Sequence, residues 1–233
     1  MPAHDLSDAY VQTQTRIASA ATQAGRSPQS VGLVAISKGH RAETIRHLAQ
    51  LGQRDFGENY LQEALPKMAE LLDLKLTWHF TGQIQSNKTR QIAENFDWAH
   101  TVDRERIAAR LNEQRPAHLP PLNVCIEVSL EDEAGKGGIG PNEVEPLARS
   151  IVQMPRLRLR GLMALPPPQE EYSEQKRLFD RLAEVLRKLN ERQFALDTLS
   201  MGMSADLEAA VAAGATLVRV GTAIFGERAR ANP

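Results

Sequence analysis

The chain has 233 residues, 42% hydrophobic and 24% charged, with 28 basic residues against 29 acidic ones. That balance suits an ordinary folded soluble protein and lacks the basic excess of an electrostatic nucleic-acid binder. The single cysteine, Cys125, excludes an intramolecular disulfide and a multi-cysteine metal cluster, and it points to a reducing compartment. The first residues are polar where an export signal needs a basic start and an apolar core, and no apolar run approaches a membrane span. The expectation is a cytoplasmic protein with neither a membrane nor a nucleic acid as partner.

From Leu6 to Ala24 apolar and small residues recur at helical spacing and stop at Gly25, with Pro28 shortly after, which predicts a leading helix. Beyond it, short apolar runs alternate with amphipathic stretches. VGLVAIS precedes AETIRHLAQL, RDFGE precedes YLQEALPKMAELL, TWHFTG precedes SNKTRQIAEN, and WAHTVD precedes RERIAARLNEQ. Further on, LNVCIEVS leads to NEVEPLARSIVQM, LRLRGLMAL to the long EEYSEQKRLFDRLAEVLRKLNERQ, and DTLSMG to ADLEAAVAAG; LVRVGTAIFG is followed by a short basic tail. Eight strand candidates alternating with helices imply a parallel sheet. The predicted fold is α/β, a single (β/α)8 TIM barrel over residues 1–233 with an extra N-terminal helix. An open doubly wound sheet is the runner-up, because periodicity does not show closure. The interruptions at Arg115–Pro121 and Pro166–Glu171 read as loops.

The apolar run that begins at Val31 ends in Lys38. A strand buried on both faces is continuously apolar, and lysine is among the residues least often buried, so Lys38 marks the C-terminal rim where barrel sites lie. An amine with a lowered pKa there is nucleophilic and forms a Schiff base with an aldehyde; the plainer reading is a strand-end lysine reaching solvent. In the last two loops, SMGMSADLEAA and VRVGTAIFG, Ser204 reads as the N-cap of a helix whose first turn carries Asp206 and Glu208. Gly221 and Thr222 add an open backbone and a hydroxyl, so the two loops together suit a phosphate. Amine and phosphate site suggest a phosphate-bearing aldehyde as ligand.

Arg219, a charge within an apolar strand, requires a partner or a cavity and is placed toward the ligand. Gly57 is read as a tight exit from the second strand, Asn59 as a rim amide, and His79 as a strand residue facing the lumen, where a satisfied core histidine is the plainer alternative. The six histidines show no pair at helix-ligand spacing, so no metal is expected. EAGKGGIGPNEV, around Lys136, matches neither phosphate-loop nor dinucleotide spacing and reads as a mobile loop after the fifth strand.

LVAISKGHRAETI, FGENYLQEAL, WHFTGQIQSNKTR, HTVD, GLMALP and LSMGMSADLEAAVAAGATLVRVGTAIFG, in that order along nearly the whole chain, resemble the pyridoxal phosphate homeostasis protein family, also called the proline synthetase co-transcribed homologues. The resemblance implies a barrel like the N-terminal domain of alanine racemase, with pyridoxal 5′-phosphate (PLP) held as a Schiff base on Lys38. It implies a phosphate held by Ser204, Gly221 and Thr222, and Arg219 near the pyridine nitrogen. With Asn59, His79 and Met201 these make the expected cofactor-binding set. The chain departs from the family in KGHRAE, where a proline commonly follows the lysine, in Gln83 after Gly82, and in the extra glycines around Lys136.

The implied function is a PLP carrier that works in cytoplasmic PLP homeostasis without catalytic turnover and serves apo PLP-dependent enzymes as partners. An amino-acid racemase on the same barrel is the alternative. It needs an acid/base on each face of the substrate carbon, and the chain offers only Tyr10, Tyr60 and Tyr172 without the second domain that supplies one in alanine racemase. A Schiff-base aldolase without PLP is the third reading.

Overall fold

The structure is a computed structural model that describes residues 5–131 and 137–226. Its strands are β1 Gly32–Ile36, β2 Asp55–Glu58, β3 Thr77–Phe80, β4 Trp98–Val102, β5 Leu122–Glu127, β6 Leu157–Met163, β7 Thr198–Ser200 and β8 Leu217–Val220. They run parallel in sequence order, and β1 pairs with β8 from Gly32 opposite Leu217 to Ala35 opposite Val220. The sheet therefore closes into a barrel, and the open-sheet alternative is set aside.

The helices are α1 Leu6–Gln23, α2 Ala42–Gln50, α3 Leu61–Glu70, α4 Thr89–Asn95, α5 Glu105–Gln114, α6 Val144–Ile151, α7 Tyr172–Glu191, α8 Leu207–Ala212 and α9 Thr222–Phe225. Each lays an apolar stripe on the outer face of the barrel. Ile45, Leu48, Ile92, Leu111 and Phe179 from the helices meet Phe56, Leu122 and Ile126 from the strands, all fully buried. Inside the barrel Trp98, Cys125 and Met163 form a separate cluster with Leu217 against it. Burial there pushes the Cys125 thiol up to about 12, so it packs as an inert apolar side chain.

The predicted leading helix is α1. Asp5 accepts hydrogen bonds from the backbone of Ser7 and Asp8 at its start, and Gly25 leaves it with φ of +69°. It packs across α8 and α9, the helices of the last two units.

Two local expectations are corrected. The run LVRVGTAIFG is not one strand: β8 stops at Val220, and after Gly221 the chain turns into α9, which ends at Gly226 with φ of +78°. Gly57 is not a turn residue but lies within β2, where an added Cβ would sit 2.4 Å from Ile36 Cδ1 and 3.0 Å from Val34 Cγ1. Its missing side chain makes room for β1. Of the predicted loop EAGKGGIGPNEV, residues 137–144 are described, with Ile139 bridging Val128 and a single 3-10 turn over Pro141–Glu143, while Lys136 and the basic tail after Gly226 lie outside the described residues. Among the described residues no helix is long and apolar enough to cross a membrane.

Candidate functional site

At the C-terminal ends of the strands a cavity of about 330 Å³ is lined by Lys38, Asn59, Ser204, Arg219, Gly221 and Thr222, together with Ile36, Thr81, Leu165, Met203 and Ala205. Six of the eight sequence-predicted site residues are thus brought together. Met201 and His79 are not among the lining residues; both are buried beneath the rim, and Met203 stands at the wall instead of Met201.

Lys38 sits two residues beyond β1, in a turn closed by the His40 N–H donating to the Ser37 carbonyl at 3.1 Å, with Gly39 at φ of +77°. The base of this turn is clamped. Ser37 donates its N–H to the Gly57 carbonyl at 3.0 Å and its hydroxyl to Glu58 Oε1 at 2.6 Å, while its carbonyl accepts from Lys67 Nζ at 2.9 Å. Gly39 N–H donates to Glu63 of α3 at 2.8 Å. Lys67 and Glu58, 2.7 Å apart, form a buried ion pair beneath the turn. Desolvation raises the Glu58 carboxyl above its ordinary range, and Lys67 opposes that shift. The backbone that presents Lys38 is therefore held by partners other than its own side chain.

Asn59 receives the Thr81 hydroxyl on its Oδ1 at 2.8 Å. Its carbonyl lies so close to Gly82 that a Cβ there would fall 2.2 Å from it, so Gly82 is required for the close passage of the β2 and β3 loops.

Ser204 does not cap α8. That helix starts at Leu207, and Asp206 occupies the cap position with its carboxylate accepting from Met203 N–H. Ser204 lies in the preceding turn, and its Oγ accepts the Ala223 N–H at 3.3 Å, in the first turn of α9. The two terminal loops are thereby joined through the serine that was assigned to only one of them. Gly221 backs onto Ile36, where an added Cβ would lie 3.3 Å from the Ile36 carbonyl. From outside, Arg16 of α1 pairs with Glu208 at 2.8 Å and donates to the Ser204 carbonyl at 3.0 Å. The extra helix therefore braces the β7–α8 loop.

Arg219 is 4% exposed, and burial lowers its guanidinium pKa to about 10, still protonated at neutral pH. Its NH1 donates to Ser200 Oγ at 2.7 Å and its NH2 to the Ala164 carbonyl at 2.9 Å. Ser200 Oγ lies 2.8 Å from His100 Nδ1, His100 Nε2 lies 2.9 Å from His79 Nδ1, and His79 Nε2 lies 2.9 Å from Asp55 Oδ1. His79 is therefore connected to the cavity through Arg219 and not by lining it. The sequence singled out neither His100 nor Ser200. The period-2 phase that puts His79 in the lumen also puts His100 there, two residues after the lumen-facing Trp98.

Glu127, at the end of β5, is 8% exposed, and its carboxyl is pushed up to about 7 by burial and by Asp103, with Arg219 opposing. A carboxyl whose folded pKa lies above its unfolded value stabilises the fold fully below the unfolded pKa, near 4.5, and that contribution is lost as pH rises through about 7. Replacing Glu127 with glutamine is expected to flatten this dependence. Chemical denaturation at pH 5 and pH 8 should show similar stabilities at the lower pH and a variant more stable by roughly 1–3 kcal/mol at the higher. Equal stability of the two proteins at pH 8 would refute the shifted carboxyl.

Residues 13–229 match the family model described as alanine racemase, N-terminal domain. The chain is 56% identical over 223 residues to the pyridoxal phosphate homeostasis protein of Pseudomonas aeruginosa, covering 96% of each, and 50% identical over 228 residues to that of Escherichia coli, covering 97% of each. Among solved structures, PipY of Synechococcus elongatus, described with PLP bound, superposes with a TM-score of 0.82 at 40% identity, over 91% of this chain and 99% of that one.

Proposed function

This chain belongs to the pyridoxal phosphate homeostasis protein family, and we propose that it holds PLP in the Lys38 cavity as a Schiff base and works in cytoplasmic PLP homeostasis without catalytic turnover. The observation that carries the reading is a single cavity that gathers an amine, two hydroxyls beside a bare glycine backbone, and a buried guanidinium. The donor set fits the cofactor group by group. Lys38 answers the aldehyde, Ser204, Thr222 and the backbone at Gly221 answer the phosphate, and Arg219 answers the ring nitrogen.

When bound, PLP supplies an electrophilic carbonyl carbon and a ring that withdraws electrons. Arg219 limits the second property. A guanidinium donates a hydrogen bond without surrendering its proton, so it leaves a ring nitrogen unprotonated and a poorer electron sink. Asn59, with its carbonyl oxygen taken by Thr81, offers amide hydrogens to the cavity.

Racemisation requires a second acid/base opposite Lys38. None of the three tyrosines lines the cavity: Tyr10 is buried in α1 and donates to Gln53 at 3.4 Å, while Tyr60 and Tyr172 are exposed on the surface. The expected behaviour of the PLP-loaded protein with L-alanine is a constant optical signal, and steady racemisation would overturn the non-catalytic reading. Mixed with an apo PLP-dependent enzyme, the loaded protein is expected to restore that enzyme's activity; no recovery would deny it the role of donor.

Ser204→Ala removes one phosphate donor and the link to Ala223. PLP retention is expected to weaken by about 1.5–3 kcal/mol, or roughly ten- to a hundredfold in Kd, measured by fluorescence titration. An unchanged Kd would put the phosphate elsewhere.

A further inference from the structure

Arg219 is a buried cation with no carboxylate in direct contact among its hydrogen-bond partners, Ser200 and Ala164. Such a charge is costly unless it is compensated. Asp206 and Glu127 compensate it through space, against the cost of burial, and its bond to Ser200 opens a chain of hydrogen bonds through His100 and His79 to Asp55. These residues stand on β8, β7, β4, β3 and β2, so the chain crosses the lumen. It begins at the ligand cavity on the C-terminal rim. It ends at Asp55, the first residue of β2, whose carboxylate is 43% exposed on the N-terminal rim.

With one hydrogen on each imidazole, the two ends fix the direction of every hydrogen between them. Arg219 can only donate to Ser200 Oγ, and the Asp55 carboxylate can only accept from His79 Nε2. His79, giving its one hydrogen to Asp55 from Nε2, then accepts at Nδ1, so His100 donates from Nε2. Burial, with the Arg219 charge adding to it, holds the His100 pKa well below the ordinary histidine range, so His100 is neutral and accepts at Nδ1. Its donor there is the Ser200 hydroxyl. All four hydrogen bonds point from Arg219 toward Asp55, and aligned bonds in a low-dielectric interior polarise one another. The frame is packed: the His79 ring stacks on Trp98 at 5.4 Å and 13°, and the Arg160 guanidinium covers Trp98 at 4.8 Å.

We infer that Asp55, His79, His100 and Ser200 form a proton-ordered relay that holds Arg219 by its NH1 nitrogen and couples the N-terminal rim of the barrel to the ligand cavity. His100 and Ser200 are positioning residues, acting on the ligand through Arg219, and Asp55 is the terminal acceptor of the chain. The coupling to a ligand rests on the proposal that PLP occupies the Lys38 cavity. The order of the hydrogens is a property of the protein alone.

The experiment is long-range ¹H–¹⁵N correlation of the histidine side chains near neutral pH, with and without PLP, in the original protein and in the Asp55→Asn and Ser200→Ala variants. His79 and His100 are both expected to carry their hydrogen on Nε2 in the PLP-free protein. Asp55→Asn, at a half-exposed position that leaves the core intact, is expected to turn His100 into a mixture of tautomers. Adding PLP is expected to shift the His100 and His79 nitrogens in the original protein, and Ser200→Ala to abolish that response and lower PLP affinity by about fivefold, the low end of ordinary site-to-site coupling. A hydrogen on His100 Nδ1, or a His100 indifferent to Asp55→Asn, would overturn the relay. PLP binding that leaves both histidines unmoved would overturn the coupling. A protein that binds no PLP would refute the cavity assignment and the ligand half of the inference together, while the tautomers would still decide the relay itself.

Discussion

Lys38→Ala is expected to abolish the visible absorbance that the protein acquires with PLP, while leaving its unfolding free energy within about 1 kcal/mol of the original. The first effect follows from chemistry: among the residues that line the cavity, Lys38 is the one amine. The second follows from how the turn is built. Ser37 is bonded to Gly57, Glu58 and Lys67, and Gly39 to Glu63, so the backbone at position 38 is fixed by its neighbours. Spectra and a denaturation curve on the same preparation check both. A surviving band would move the linkage to another amine, with Lys67 beneath the same turn the first to examine.

The largest expected loss of stability lies just below the cavity. Glu58 is fully buried, its Oε1 takes Lys67 and Ser37, and its Oε2 has no hydrogen-bond partner among the described residues. Lys67→Met removes the cation and leaves the carboxylate facing the interior, which costs about 3–5 kcal/mol for a buried pair broken on one side. The sign with pH follows from Glu58. Its pKa is already raised by burial, and loss of Lys67 raises it further, so the variant is least destabilised in acid and loses stability as pH rises through the shifted value. Adding Glu58→Gln to Lys67→Met is expected to recover most of the loss, because no uncompensated charge then remains. Urea unfolding of the single and double variants at pH 5 and pH 8 separates these outcomes. A loss at pH 8 below about 1 kcal/mol, the size of an exposed ion pair, would show that the pair is solvated.

Much of this molecule is legible in the sequence because barrels advertise themselves locally. The strands carry short apolar runs, and Gly25 and the alternation with helical stretches mark boundaries that depend on near neighbours. The approach of Lys38 to Ser204, Gly221 and Thr222 is also deducible, since topology alone carries the ends of β1, β7 and β8 to one rim. What escapes the sequence depends on contacts between distant strands. Ser204 reads as the cap of α8 because the turn before that helix is polar, yet its hydroxyl serves α9, nineteen residues on. Gly57 reads as a turn because nothing local shows that Ile36 fills the space of its absent side chain. His79, weighed between lumen ligand and satisfied core residue, is hydrogen-bonded on both ring nitrogens, and the two partners, Asp55 and His100, lie on separate strands. Lys67 sits in the apolar stripe of α3 without any local sign that Glu58 waits for it.

The most direct test is the visible spectrum of the purified protein with PLP, before and after borohydride reduction, followed by peptide mapping of the reduced product. The expected result is a yellow protein that bleaches on reduction and carries one pyridoxyl group, on Lys38. A protein that stays colourless when PLP is added, or a label found at another lysine, would contradict the assignment of this cavity to the cofactor.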